Sequence, residues 1–586
     1  MKDTNKKWNK EINITGILGN KIVQVILNLI FGISVASLSL ILIKDEVENY
    51  VYIIISVLSF IIAEIMAFKF KFLKEIYKNY SCVRLFVSIL LGLIAIYTIY
   101  KNIHEYANFP KLQIFVLFAI PAVIIFLYWF YTKLTYYVKK YLNSMDKVEK
   151  YFLTISTAIL TIAIIFIYNM TNVFHYGRLN SKYYDYDIIH IYGAQNNDIY
   201  NAVMKNVYDN MNYDILYTTD TALLTYLDVY SNVDAKENDI RQPLFGLFSI
   251  PFSVVPKGIS YIFPKSETIY PVFLAIVQGI LALFSFTLIA RLMKLKGITK
   301  VLFLIFITVS FPTLLFLLNL EQYLMAFFYL IVFIYMSVNN IKDKDMAYIM
   351  ATGSMLTTGI LFPLLIKKDN LKEALKELFF TFLKCMAIFI ISARIVLFFP
   401  QEINDQLGTI KEFSTVGENE SSFSMYTNFA INLIIFSDIE EISNVFAGKI
   451  YGREDISFRL TGRCPAIRAS ETENFSILGI SIIVLAILGF ILNRKDKFIQ
   501  ICFAWALFSF VLLYIIGWGM PENGLMLYTF YFSWAFICLI FKFIEKLFIK
   551  FPKIKNGIYS LLILGITPIN LYGILKLILF GIKYYN

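Results

Sequence analysis

Two stretches of this 586-residue chain concentrate side chains that can do chemistry. Residues 172–268 carry nine aspartates, Asp185, Asp187, Asp198, Asp209, Asp214, Asp220, Asp228, Asp234 and Asp239. A carboxylate on a polar loop can take up a proton as a general base, although for any single one of the nine solvated surface is the more ordinary reading. Asp198, in GAQNNDIYNA, stands between a polar turn and the start of an amphipathic helix. A helix N-terminus stabilises a carboxylate there, and capping alone would also explain it. The second stretch, YGREDISFRLTGRCPAIRAS, holds Arg453, Arg459, Arg463 and Arg468. Their planar forks match the paired oxygens of a phosphate, and a solvated or inward-facing loop would use them as readily.

Between these lies NDIRQPLFGLFSIPF, in which Asp239 and Arg241 adjoin Gln242-Pro243 and an apolar run follows. Pro243 and Pro251 bound a short segment able to lie at lipid headgroup level, while the charged pair alone could be a surface ion pair worth under ~1 kcal/mol. Arg394 sits in an apolar helix, MAIFIISARIVLFF, where a centrally placed charge costs at least ~2.5 kcal/mol. It can contact a lipid phosphate or pair with an acid such as Glu321. Glu64, in IIAEIMAF, is a weaker intramembrane candidate with a partner in the N-terminal bundle. His104, His175 and His190 are far apart and lack metal-ligand spacing. The five cysteines, Cys82, Cys385, Cys464, Cys502 and Cys538, show no paired spacing. No phosphate-gripping glycine loop or G-x-S-x-G elbow is present, which argues against ATP-driven and serine-hydrolase chemistry.

What positions these residues is a membrane. The chain is 58% hydrophobic and only 16% charged, whereas a soluble domain carries about a quarter charged residues. The net charge of +11 comes from Lys and Arg clustered between apolar runs, the pattern of cytoplasmic loops and not of nucleic-acid binding. Apolar runs near 22–43, 50–68, 82–100, 113–131, 152–171, 269–292, 299–318, 322–338, 346–366, 379–399, 475–493, 498–518, 525–543 and 558–580 predict an all-α polytopic membrane protein of about 13–14 hydrophobic segments. Basic loops after the second, fourth and sixth runs place these loops and the N-terminus in the cytoplasm, so that 172–268 lies outside. Lysines flank the ninth run on both sides, and its ATGSMLTTGILFP core suits a broken, re-entrant helix. Re-entry would put a second long loop, 401–474, outside beside the first. No matching pair of interrupted helices marks the two halves. The expected organisation is a four-span bundle (1–150), a module bearing the long outer loop (151–400), the second loop (401–474) and a C-terminal four-span bundle (475–586).

The order of a span, a long Asp-bearing loop ending in RQPLFGLFSIPF, a basic hairpin ARLMKLKGITK and then FPTLLFLLNLEQYLMAFFYLIVFIYM resembles the GT-C superfamily of membrane glycosyltransferases, of the protein O-mannosyltransferase and lipid A aminoarabinose transferase type. The resemblance covers about residues 150–340. It maps an acidic residue onto Asp198 or a neighbour, a His-Pro-Pro-Leu-type turn onto Gln242-Pro243-Leu244, and a Glu-x-Tyr pair onto Glu321 and Tyr323. This chain departs in having Arg-Gln-Pro-Leu and in lacking paired acids directly after the module's first span. The resemblance implies sugar transfer, usually inverting, from a polyprenyl-phosphate donor to an envelope glycan, lipid or protein acceptor on the outer face of a bacterial plasma membrane. Asp198 would be the general base, with Asp187, Asp220 and Asp239 as substitutes; Arg241, Arg394, Arg459 and Arg463 would lie near phosphate. No cofactor is implied with certainty; a divalent metal, Mg or Mn, serves some members. A transporter or flippase of lipid-linked oligosaccharides and an envelope-polysaccharide polymerase or ligase are the alternatives.

Overall fold

In a computed structural model of the chain, the described residues are 21–43, 48–68, 73, 81–106, 112–170, 190–192, 241–264, 269–320, 322–366, 371–399, 403–404, 407–408, 411, 414, 423–450, 453–467, 475–519 and 524–585. They are helical apart from one small sheet. Two compact units emerge, each discontinuous in sequence: residues 1–145, 226–258 and 352–403 form the first, and 146–225, 259–351 and 404–586 the second.

The first unit is built on α1 (Lys21–Ile41), α2 (Asn49–Phe68), α3 (Cys82–Tyr106) and α4 (Leu112–Asn143). Each is apolar nearly throughout, because in lipid a helix alone satisfies every backbone group. Pro121 interrupts the α4 ladder, and the neighbouring Ala122 amide donates to Ser34 Oγ of α1 at 2.8 Å. Ile55, Ala119 and Leu127 pack in one core with Ile250 and Val254 of α6 (Phe245–Ile262). α6 falls within the expected loop 172–268, yet it is a helix long and apolar enough to cross a membrane. Pro251 therefore does not bound the segment but lies inside it, as does Pro256. These prolines, with Ser249 and Ser253, dilute the apolar signal, and the Pro251 carbonyl accepts from Tyr131 Oη at 2.8 Å.

In the second unit, α5 (Lys147–Met170) packs against α7 (Ile269–Leu292), which packs on α10 (Gln322–Val338). Between them run α8 (Gly297–Val309) and α9 (Phe311–Leu317), bent by 65° at Ser310. Asn570 of α17 (Pro552–Tyr585) stabilises this bend: its Nδ2 donates to Val309 O (2.8 Å) and Ile434 O (2.9 Å), and its Oδ1 accepts from Phe436 N (2.8 Å). α16 (Thr529–Leu547) is buried at every position from Thr529 to Phe541, as expected of a helix apolar on all sides. α13 (Phe423–Asn432), α14 (Ile477–Asn493) and α15 (Lys497–Phe510) complete the unit. α14 approaches its neighbours backbone to backbone at two glycines: a Cβ on Gly479 would lie 1.8 Å from Thr427 O, and one on Gly489 2.1 Å from Leu539 O.

Among the described residues ten helices are long and apolar enough to span, or eleven if the bent α8–α9 pair is one span. Nine coincide with expected runs and the tenth is α6. The other expected runs are shorter or broken. α10 and α14 have 17 residues each. The 346–366 run divides into α11 (Lys344–Ser354) and a 3₁₀ segment, Leu356–Leu365, and the 379–399 run into α12 (Leu371–Ile391) and a 3₁₀ segment, Arg394–Phe398.

Candidate functional site

Of the acids singled out in the sequence, Asp187, Asp198, Asp220, Asp239 and Glu321 lie outside the described residues. The turn that follows them is described. Arg241 O accepts from Leu356 N and Leu244 N donates to Gly353 O, both at 2.8 Å. Two reciprocal backbone bonds thus seat Arg241–Leu244 on the interruption between α11 and the 3₁₀ segment, where Met355 is extended. Glycine is required at 353, since a Cβ would fall 2.8 Å from Leu244 Cβ. An interrupted helix frees backbone polar groups, and here the docked turn takes up two of them.

This junction is polar inside an apolar unit. Gln242 is only 3% exposed. Gln242 Oε1, Thr352 Oγ1, Ser354 Oγ and Thr357 Oγ1 are buried and make no hydrogen bond among the described residues. Buried groups of this kind are uncommon in folded proteins, and the Ser/Thr-rich ATGSMLTTG sequence is the signal that marks them. Arg394 is buried in the same unit, but it does not lie within the apolar α-helix that MAIFIISARIVLFF predicts. α12 ends at Ile391, Ala393 takes a left-handed φ of 60°, and Arg394 opens the 3₁₀ segment. A charged residue at a helix break, not amid its regular turns, gives the guanidinium freed backbone groups nearby.

Tyr323 belongs to the second unit, as an aromatic core residue. Its ring meets Phe316 and Tyr528 edge to face, with centroids 6.3 and 6.2 Å apart, and Trp518 Nε1 donates to Tyr528 Oη at 2.6 Å. Arg459 and Arg463 lie on β3 (Arg453–Ile467), antiparallel to β2 (Ile439–Ile450). On the other side of β3 sits β1 (His190–Tyr192), from the aspartate-bearing stretch, with His190 opposite Arg459 and Tyr192 opposite Ser457. The strand-like YDIIHIYG of the first long stretch is thus joined to the arginine-bearing second one.

A constellation missed in the sequence lies where α5 begins. Glu149, whose side chain is 1% exposed, receives Arg291 Nε on Oε1 (2.8 Å) and Nη2 on Oε2 (2.5 Å). Lys300 Nζ bridges Glu149 Oε1 (2.5 Å) and Asp146 Oδ2 (2.7 Å). Asp146 and Glu149 also cap each other's backbone amides, so the D-K-V-E spacing of a capping box was its signal. Burial pushes the Asp146 carboxyl up, but the Lys300 hydrogen bond, the Glu149 amide and the charges of Lys300 and Arg291 outweigh it and hold the carboxyl below the usual carboxylate range. With two acids answered by two bases, the group is a structural latch between α5, α7 and α8. Two cations of the basic hairpin are therefore consumed in ion pairing.

Among the described residues no cluster of three or more His, Cys, Asp or Glu could hold a metal. Compared with known protein families, curated proteins and solved structures, the chain matches none.

Proposed function

We propose that the chain is a GT-C-type membrane glycosyltransferase of the bacterial plasma membrane, moving a sugar from a polyprenyl-phosphate donor to an envelope acceptor on the outer face. The observation that supports this reading is the pairing of β1 with β3. Asp187 precedes β1 by three residues and Asp198 follows it by six, while β3 carries Arg459 and Arg463. The reaction needs both types of group. A carboxylate accepts the proton of the acceptor hydroxyl as its oxygen bonds to the anomeric carbon, and the bond from that carbon to the donor phosphate oxygen breaks. Guanidinium groups stabilise the departing lipid phosphate. Asp198 is assigned the base, and Arg459 and Arg463 the phosphate. Should a Mg or Mn ion take part, its ligands come from the aspartate-bearing stretch.

A second reading, a flippase for lipid-linked oligosaccharides, is favoured by the helix interruptions at Ser310, Met355 and Ala393 and by the buried polar atoms beside Gln242, features that transporters place along a substrate path. One assay separates the two. Membranes carrying wild type or Asp198→Asn are given a panel of radiolabelled polyprenyl-phosphate sugars, and label in envelope fractions is counted. Protein-dependent transfer that falls at least ~100-fold in Asp198→Asn is expected. Transfer that persists in the variant reassigns the base to Asp187, Asp220 or Asp239. No transfer with any donor, alongside protein-dependent movement of lipid-linked sugar between leaflets, replaces the transferase with the flippase.

A further inference from the structure

Glu64 is the only charged residue of α2. Its Oε1 is buried and has no hydrogen-bond partner among the described residues. What faces it is a glycine: a Cβ built on Gly32 would lie 2.6 Å from that oxygen and 2.8 Å from the Phe60 ring. The carboxyl therefore occupies a notch in α1 that exists because position 32 has no side chain. Gly32 is close to the midpoint of α1, which places the notch within the hydrocarbon layer when α1 spans it. The apolar surroundings among the described residues are Phe31, Val35, Ala63, Ala67, Leu73 and Ala122.

Among the described residues, the charged groups on the elements packed against this contact lie well along their helices from it; Lys69, Lys71 and Lys74, which follow α2, lie outside the described residues. α1 carries Lys21, eleven residues from Gly32, or about 16 Å along the axis. α12 packs on α2 at its C-terminal end, where Ser59 Oγ donates to Ile390 O. Its charges are Lys372, Glu373, Lys376, Glu377 and Lys384; the nearest, Lys384, is exposed and six residues from Ile390, about 9 Å along the helix. α4, packed on α1, bears Lys133, Lys139 and Lys140 near its far end. An ionised carboxylate without water or a cation is costly in such a place. The flanking Ile61 and Ile65 are exposed, so that the site lies one residue from the lipid-facing surface.

We propose that Glu64 is a proton-binding site inside the membrane, resting in the Gly32 notch as a neutral carboxylic acid and exchanging its proton with the bulk. Release of the proton leaves a charge that the closed α1–α2 contact does not solvate, so exchange requires that contact to open. The site thus couples protonation to movement of this helix pair.

Dicyclohexylcarbodiimide, a lipid-soluble reagent, tests this. The protonated carboxyl gives its proton to a carbodiimide nitrogen while its oxygen bonds to the central carbon, and rearrangement leaves a stable N-acylurea. The full chain in phosphatidylethanolamine–phosphatidylglycerol vesicles is treated between pH 6 and pH 9 and mapped by peptide mass spectrometry. An adduct on Glu64 is expected at pH 6, forming at least ~10-fold more slowly at pH 9, and absent from a Glu64→Gln variant with unchanged size-exclusion elution. No adduct on Glu64 at pH 6 means an ionised, partnered carboxylate and overturns the proposal. An adduct whose rate is flat from pH 6 to pH 9 means a permanently protonated structural acid and overturns it too.

Discussion

At the scale of single residues, the strongest described electrostatics belong to Glu149, which accepts from both Arg291 and Lys300 while buried. Removing one partner of such a group strands the others. Glu149→Gln is expected to lower stability by about 3–5 kcal/mol, read as denaturant unfolding in micelles. Asp146→Asn should cost far less, because the Asp146 side chain is half exposed. Its pH dependence has a definite sign. A carboxyl held below its ordinary value stabilises the fold at pH above that value and loses the contribution as pH falls through the folded one. The advantage of wild type over Asp146→Asn should thus be constant above about pH 5 and shrink below about pH 4. Little of this latch is legible in the chain, because its acids stand more than 140 residues from its bases and only the local capping spacing betrays them. Gln242 and Arg394, by contrast, were marked by residue type alone, since a polar-Pro turn and a charge amid apolar residues stand out against any hydrophobic background.

At the scale of elements, long uniform apolar runs translate into helices almost residue for residue, because lipid leaves the backbone no alternative. Breaks are harder to read. The interruption at Met355 was signalled by Gly, Ser, Thr and Pro together, whereas the bend at Ser310 depends on Asn570, 260 residues away, to satisfy Val309 O. The sequence does not announce α6, because Pro243 and Pro251 suggest a bounded turn segment, yet Pro251 and Pro256 are tolerated within a helix that packs against α4. Helix approach makes its own prediction. Gly479→Ala and Gly489→Ala each force backbone apart and should destabilise by about 1–3 kcal/mol or more. Gly557→Ala and Gly565→Ala on α17, where nothing lies within 4 Å of the new Cβ, should instead gain roughly 0.5–1 kcal/mol. Thermal unfolding of the four variants in one detergent checks both signs.

At the scale of the molecule, the latch ties the start of α5 to the end of α7, so these two helices run in opposite directions with those ends at one level. Residues 147 and 294 must then face one side of the membrane and residue 269 the other. In a cysteine-free background, Lys147→Cys and Lys294→Cys are expected to react with an impermeant maleimide only from the cytoplasmic side, and Ile269→Cys only from outside. Reaction of 147 and 294 from opposite faces would refute the arrangement. It also follows that the stretch between α5 and α7 leaves and returns on one side, so α6 cannot be a lone crossing within it. The sheet adds a consequence in time. β1 and β3 are separated by about 270 residues, and synthesis proceeds at roughly 5–20 residues per second. For some 15–55 s after β1 emerges, its partner strand does not yet exist, and an unpaired strand edge is a template for wrong pairing.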